Sequence, residues 1–333
     1  MKISKLGGET ALINLIRDKF GTTGTGDLVL GIGDDAALIR SGDNFTIVTA
    51  DLLVENTHFR MDINEAYLLG WKSAAVNISD IAAMGGTPTY SFISIGLPDI
   101  DVSVVEAMYQ GIYDVSAKYG SVIAGGDTVG SDCGIVINIT QLGTVEPDRA
   151  AKRSGAKPGD KIIVTNTLGD SRAGLELLLK HGLKPARKIS GYLVERHLKP
   201  EPRVREARAA VRTGKVHSMM DLSDGLSSDI QKLCAASEVG AKIYANSLPI
   251  SSELRLAAAD LNADPIKLAA SGGEDYELLL TCAAESTDSI VLAIHLSGSS
   301  PTIIGEIVDE TGVTLVSSNG NKEEPMPRGW EHF

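Results

Sequence analysis

The stretch GIGDDAALIRSGDNFTIVTADLLVENTHF, Gly31 to Phe59, constrains this chain more than any other. Asp34 and Asp35 follow Gly31-Ile32-Gly33, the strand-like run Phe45–Thr49 delivers Asp51, and His58 comes seven residues later. Carboxylates gathered at the ends of short apolar strands repel one another unless a cation stands between them. Hard oxygen ligands select a hard divalent ion, Mg²⁺ above all. Four more acidic motifs lie downstream: NISDIAAMGG, GGDTVG, DLSDGLSSDI and SGGEDYELLL. A single aspartate usually caps a helix or closes a turn. Five acidic motifs, each set between glycines or small residues and an apolar strand or helix, point instead to several walls of one metal site.

The chain reads as alternating strands and helices. Leu12, Leu15, Ile16 and Phe20 share one face of a helix over 9–20, and Gly21 stops it. GTTGTGD, 21–27, is a loop of small residues that could cover a ligand or simply link. Strands are expected at about 28–32, 36–40 and 45–49. Gly31-Ile32-Gly33-Asp34-Asp35-Ala36 matches a dinucleotide-binding fingerprint only formally. That motif must open a helix, whereas Ala36–Arg40 reads as a strand, and two carboxylates would face the phosphates. Residues 64–84 form a long helix with a buried stripe of Leu68, Trp71, Ala75, Ile78 and Ala82. Ser73, Asn77 and Asp80 fall on another face, one that can sit over a cation. Strand 89–97, helix 103–119 and strand 121–124 follow. Gly125-Gly126-Asp127 ends that last strand, so Asp127 is expected in a gap that a ligand can approach. Strand 134–145 closes the first half.

The polar segment 146–160, EPDRAAKRSGAKPGD, divides the chain into an N-terminal domain, 1–146, and a C-terminal α/β domain, 147–333. Arg153 lies in that segment and could hold a phosphate with its planar fork. In the second half, helices are expected from Asp170 to near Lys180, at 189–198 and at 203–213. Strand 216–221 delivers Asp221 and Asp224 to a strand-to-helix turn, where open sheets bind ligands. Ser271–Asp275 precedes a strand over Tyr276–Cys282.

Composition excludes several classes. A net charge of −12 over 333 residues opposes a nucleic-acid partner, because phosphate backbones select basic surfaces. No apolar run reaches membrane-spanning length, and the first residues show no signal-peptide core. Three well-separated cysteines, Cys133, Cys234 and Cys282, offer neither a zinc site nor a disulfide framework, and a cytoplasmic location is expected.

The ordered set GIGDDAAL, TADLLVENTHF, AVNISDIAAMGG, GGDTVG, KRSGAKPGD, DLSDGLSSDI, SGGEDYELLL and a final GWEHF resembles the thiamine-monophosphate kinase family, within the aminoimidazole ribonucleotide synthetase-like superfamily. The resemblance runs from about Gly31 to Phe333. It implies a two-domain α/β synthetase-like fold, and a homodimer whose N-terminal mixed sheets join into a barrel, with the C-terminal α/β layer over the site. It implies ATP and thiamine monophosphate as substrates of direct in-line transfer, the last step of thiamine diphosphate biosynthesis. Mg²⁺ ions would be held by Asp34, Asp35, Thr49, Asp51, Asp80, Asp127, Asp221 and Asp224, ATP would lie near Gly126, Asp127, Arg153 and Ser223, and thiamine monophosphate near His58, Glu274 and Trp330. The family usually carries Thr where Ala50 stands; any metal ligand from position 50 must then be the backbone carbonyl. Pro327 occupies a frequent aromatic position, which leaves Trp330 as the candidate for stacking.

The chemistry accords with this resemblance. Two like unit charges 4 Å apart repel by roughly 4 kcal/mol at an effective dielectric near 20. A kinase whose acceptor is itself a phosphate therefore needs bridging metals, and no strong base. A metal-dependent phosphohydrolase, another ATP user of the superfamily, and a Ca²⁺-stabilised binding module without turnover are the competing readings.

Overall fold

The computed structural model describes residues 6, 8–21, 26–317 and 323–327. The first half contributes α1 (Glu9–Phe20), β1 (Leu28–Leu30), β2 (Ala37–Ser41), β3 (Asn44–Val54), α2 (Ala66–Ala83), β4 (Thr87–Leu97), α3 (Val102–Tyr119), β5 (Val122–Gly130) and β6 (Val136–Val145). Its strands form one mixed sheet in the order β1-β2-β3-β6-β4-β5. The period-two alternation of β3, β4 and β6 sends Leu53, Ile93, Ile95, Ile137 and Ile139 to one face, where α2 and α3 bury them. Small residues let the two helices touch backbone to backbone. A Cβ on Gly70 would lie 1.8 Å from the Met108 carbonyl oxygen, and one on Gly111 2.0 Å from that of Tyr67. The opposite face of the sheet is open and carries the exposed Leu52, Tyr90 and Phe92.

The second half runs β7 (Lys161–Val164), α4 (Asp170–His181), α5 (Leu183–Leu198), α6 (Val204–Arg212), β8 (Ser218–Asp221), α7 (Leu226–Ser237), β9 (Gly240–Tyr244), α8 (Ser252–Leu261), α9 (Pro265–Ser271), β10 (Leu278–Cys282), α10 (Thr287–Leu296), β11 (Thr302–Val308), β12 (Gly312–Val316) and β13 (Glu323–Pro325). These strands make a second sheet, β13-β12-β9-β11-β7-β10-β8, antiparallel except for the β12–β9 pair. A continuous apolar core joins the two layers, from Ala74 and Ile78 of α2 to Ala207 of α6, Met219 of β8 and Leu278 of β10. The helix α2 is thus shared: it lies on the first sheet and also packs against α6 and β8.

Two expectations need correction. The third strand does not stop at residue 49. It pairs with β6 residue for residue from Phe45 opposite Val145 to Val54 opposite Val136, so Asp51 sits inside a strand. The strand expected over 121–124 runs on to Gly130, because β4 offers a parallel partner all the way to Leu97. In α1, which does form over 9–20, no residue is buried, and Phe20 is 76% exposed. One detail of α5 explains why its expected start was late: Ser190 has extended backbone (φ −150°, ψ 98°), which divides the helix into two pieces.

Candidate active site

The sheet alternation decides which side chains meet. Thr49, Asp51 and Leu53 of β3 point toward α2, while Ala50 and Leu52 point to the open face. One turn-and-a-half of α2 answers them. Asn77 accepts the Asp51 backbone N–H through Oδ1 at 2.9 Å and anchors its own amide on the Ser73 carbonyl at 3.0 Å. Asp80, one turn on, accepts the Thr49 hydroxyl at 2.6 Å. Ser79 donates to Asp221 Oδ2 at 2.5 Å, and so ties the end of β8 to the same helix. Asp35, from the turn before β2, completes a group in which oxygens of Asp35, Asp80 and Asp221 all lie within 4.8 Å of one another. These three carboxylates come from three distant segments and from both layers.

The electrostatics of this group are those of buried carboxylates crowding one another. Burial first, then the neighbouring carboxylates, push Asp80 and Asp221 well above the usual range. Burial, with Asp224 and Asp35 nearby, lifts Asp51 to about 6. One oxygen of Asp35, Oδ2, is buried and has no hydrogen-bond partner. A buried acceptor left empty costs about 1–3 kcal/mol, so a persistent one marks a place for something that binds. All-carboxylate donors with a spare lone pair fit a hard divalent cation.

Cations of the chain itself border the group. Arg153 brings its guanidinium onto Asp35 Oδ1, at 2.6 Å from Nη2 and 3.1 Å from Nε, while its backbone N–H donates to Asp34. Asp34 therefore faces the linker backbone and lies outside the trio; burial and the adjacent Asp35 raise it to about 7. The Arg153 side chain, 20% exposed, is a docked cation and not a solvated linker charge. Lys232 of α7 bridges Asp224 and Asp229, and Asp229 also accepts the Asp224 N–H at 3.1 Å. Gly225, rather than Ser223 or Asp224, occupies the cap position of α7.

A second cluster adjoins the first. The DLSDG and SGGED turns lie directly on each other: the Glu274 N–H donates to the Ser223 carbonyl at 2.7 Å, and a Cβ on Gly225 would sit 2.7 Å from the Gly272 oxygen. Asp275 clamps this arrangement by accepting the Gly169 and Ser171 N–H groups at 2.6 and 3.1 Å. On either side of Asp275, Glu274 and Tyr276 have positive φ, 66° and 51°. Two non-glycine residues in that region store strain of the kind found at ligand sites. Glu274 Oε1 is 2.7 Å from Lys72 Nζ, and Oε2 is 3.3 Å from His197 Nδ1. His58 accepts the Val54 N–H through Nδ1 at 3.0 Å, from the side of the first sheet.

Among the residues expected from sequence, Asp35, Thr49, Asp51, Asp80, Asp221 and Arg153 come together, with Asp224, Ser223, Glu274 and His58 beside them. Asp127 does not join them. It stands opposite Ser94, in the row Leu52, Asn138, Ser94, Asp127, on the open face and three strand spacings from β3, roughly 14 Å. Gly126 is demanded by packing: its φ is 154°, and a Cβ would meet the Ile93 oxygen at 1.7 Å. The methyl of Ala50 faces the open side, opposite Thr140. Trp330 lies outside the described residues. Sequence reasoning missed Lys72, His197, Ser79 and Asp229. A lysine in the small apolar run Trp71–Val76 is itself a signal, since an uncompensated charge is excluded from such a face. Asp229 is the third aspartate of DLSDGLSSDI.

Residues 33–145 match the N-terminal domain of the AIR synthase related proteins, and residues 157–318 their C-terminal domain. The chain is 37% identical to the thiamine-monophosphate kinase of Escherichia coli (strain K12) over 312 residues, which cover 92% of this chain and 93% of that protein. It is 36% identical to the thiamine-monophosphate kinase of Aquifex aeolicus over the full length of both. A solved structure described as AaThiL complexed with AMPPCP and TMP superimposes with a TM-score of 0.86 at 35% identity, covering 100% of this chain and 99% of that one.

Proposed function

This chain belongs to the AIR synthase related family, on its thiamine-monophosphate kinase branch, and we infer that it transfers the γ-phosphoryl group of ATP to thiamine monophosphate, giving thiamine diphosphate and ADP. The observation that carries the chemistry is the trio Asp35, Asp80 and Asp221 with its empty, buried Asp35 Oδ2. Donor and acceptor are both polyanions, so the reaction requires screening before it requires a base. Asp35, Asp51, Asp80 and Asp221, with Thr49 and Asp224 beside them, would hold Mg²⁺. The bound metal would supply neutralisation of the phosphates and of charge on the transferring group.

The chain's own groups do the rest. Arg153, now paired with Asp35, is the cation able to turn to an ATP phosphate when metal takes the carboxylate over. Ser223 and the glycines around it bring backbone close to the nucleotide. Glu274 and His58 face the thiamine side. The acceptor phosphate is anionic near neutral pH and attacks directly; among the described residues the one hydroxyl beside a histidine here, Ser171 next to His197, faces an imidazole depressed to about 3, too weak a base to activate it.

Asp127 joins the site from a second copy. Its strand, β5, is a free sheet edge, and the adjoining open face exposes Leu52, Tyr90, Phe92, Val122 and Val129. Such an edge and face invite a twin sheet, which supports the homodimer and its shared barrel. No described helix is long and apolar enough to cross a membrane.

The test is one assay: ATP and Mg²⁺ with thiamine monophosphate, with free thiamine, with an aminoimidazole-pathway precursor and with no acceptor, following ADP and product. Thiamine diphosphate formed only in the first, and abolished by chelator, is the expected result. ADP formed without acceptor would make the protein a phosphohydrolase. With ATP chiral at the γ-phosphorus, direct transfer inverts configuration; retention would require a phosphoenzyme.

A further inference from the structure

Lys72 is the largest fully buried side chain that carries a charge: it is 2% exposed, on the stretch of α2 that runs under the second layer. Its neighbours along the helix are apolar or small. An ammonium in such a place is tolerated only when paired. Its partner is Glu274 Oε1, 2.7 Å away and on the other layer. The lysine thus reaches across from the first layer to hold one carboxylate of a strained turn.

The groups around Glu274 can be ranked by the charge they bring. His197 of α5 lies 3.3 Å from Oε2 and 3.1 Å from the Ser171 hydroxyl. Burial, then Lys72 itself, depress this imidazole to about 3, so it stays neutral. Arg172 of α4 faces His197 and spends its Nε on Glu176, at 3.0 Å. His58, after β3, faces Glu274 from the side of the first sheet. Tyr276 follows in the same turn and is uncharged. Burial alone would raise Glu274, yet its pKa is lowered, and Lys72 is the largest opposing influence. The carboxylate is still 30% exposed, so part of it remains open to a ligand.

We propose that Lys72 is a positioning residue for substrate recognition: it fixes the direction of the Glu274 carboxylate, so that the thiamine end of the acceptor meets a preset hydrogen-bond acceptor. This rests on the reading above that Glu274 faces that substrate. The geometry has a clear logic. The turn stores strain at Glu274 and Tyr276, the Asp275 clamp holds its backbone, and Lys72 holds its side chain. One oxygen is engaged by Lys72 and the other lies beside neutral His197, so the carboxylate is held from two sides. The Lys72–Glu274 pair is net neutral as a unit, so it attracts a divalent ion less than the aspartates do, and the metal-binding pole stays with them.

The experiment is a double-mutant cycle of Lys72→Met and Glu274→Gln, read as KM for each substrate and as pH profiles. Wild-type turnover of thiamine monophosphate is established first; its absence would refute the functional reading and leave the cycle to be read by direct binding of thiamine monophosphate. Lys72→Met is expected to raise KM for thiamine monophosphate at least tenfold and to leave KM for ATP within twofold. It is also expected to add an acidic limb to kcat/KM for thiamine monophosphate, because Glu274 without Lys72 picks up a proton as pH falls. Glu274→Gln should raise the same KM, and the double variant should be no worse than Lys72→Met alone. Equal effects on both substrates, an unchanged pH profile or additive losses would overturn the proposal, since a purely structural lysine moves neither the profile nor one KM alone. If Lys72→Met does not fold, the double variant strands no charge and is compared with Glu274→Gln: equal KM supports the proposal and a further rise refutes it.

Discussion

Replacing Asp51 by Asn should stabilise the metal-free protein while removing its response to Mg²⁺. Asp51 is pushed from its ordinary value of 3.8 to about 6, by burial first and then by Asp224 and Asp35. That displacement of about 2 pH units corresponds to about 3 kcal/mol of cost for ionising it in the folded chain. The sign follows from linkage. A carboxylate whose folded pKa is raised contributes its stability below the unfolded value, and loses it as pH climbs to the folded value. The wild-type protein therefore loses this contribution between about pH 4 and pH 6, and the variant does not. The backbone bonds from the Asp51 N–H to Asn77 and from Asn138 to the Asp51 oxygen survive the change. A buried amide still has to be solvated by its surroundings, so a net gain of about 1–3 kcal/mol is expected above pH 6. Thermal unfolding in chelator from pH 4.5 to 8 should show the gap between variant and wild type opening over the window and then holding constant. Added Mg²⁺ should raise the wild-type midpoint by mass action and the variant's much less. A variant less stable than wild type at pH 8 without metal, or a gap of equal size at every pH, would refute the argument.

Other substitutions probe the neighbouring structure. Glu277 is fully buried and holds Arg196 at 2.7 Å and Arg203 at 2.6 Å, so Glu277→Gln should cost about 3–5 kcal/mol in urea unfolding by stranding two charges. Burial opposes its charge, but Arg203 and Arg196 lower its pKa to about 2; its stabilisation is present above the unfolded value near 4.5 and should disappear as pH falls from there toward 2. Gly126→Ala should loosen β5 and lower the yield of dimer in sedimentation, because φ is 154° and the new methyl would meet the Ile93 carbonyl. Asp127→Asn and Asp221→Asn should each be inactive, yet co-expressed together they should recover about a quarter of the activity, since a mixed dimer keeps one intact site if Asp127 serves the partner. No recovery would place Asp127 in its own chain's site or in none.

What the sequence made legible follows from the range of the interaction. The helix over 9–20, the buried stripe of α2 and the strand leading into Asp221 rest on local periodicity, and they stand in the structure. The length of β3 and of β5 was not legible. Both strands are extended by partners distant in sequence, β6 and β4, and no local pattern announces a ladder. The shorter β5 also hid where Asp127 stands within its own chain, a mid-strand position on the open face and not a strand end. Asp80 was found because it repeats with Ser73 and Asn77 at helical spacing, although only Asp80 reaches the trio: Ser73 returns its hydroxyl to the Leu69 carbonyl, and Asn77 orients Asp51. Lys72 was passed over because a lysine is ordinarily solvated, and only the second layer folding onto α2 buries it.

The helix α2 carries contacts to both ends of the proposed reaction. Lys72 grips Glu274 at one end, and Ser79 and Asp80 hold Asp221 and Thr49 at the other. Eight residues separate Lys72 from Asp80, which is about 12 Å along an α-helix. If Glu274 recognises thiamine and the trio binds metal, as proposed, a helix of that length between them sets where the acceptor phosphate must lie relative to the ATP phosphates. Alignment of this kind supplies most of what phosphoryl transfer asks of a protein, because a deprotonated acceptor needs no base. It also accords with the backbone strain lying in the SGGED turn, at Glu274 and Tyr276. On the proposed reading, a turn that drifted by an ångström would carry the substrate out of line. The close approach of α2 to α3 through Gly70 and Gly111 then has a consequence for catalysis as well as for packing: it fixes the helix against which both ends are measured.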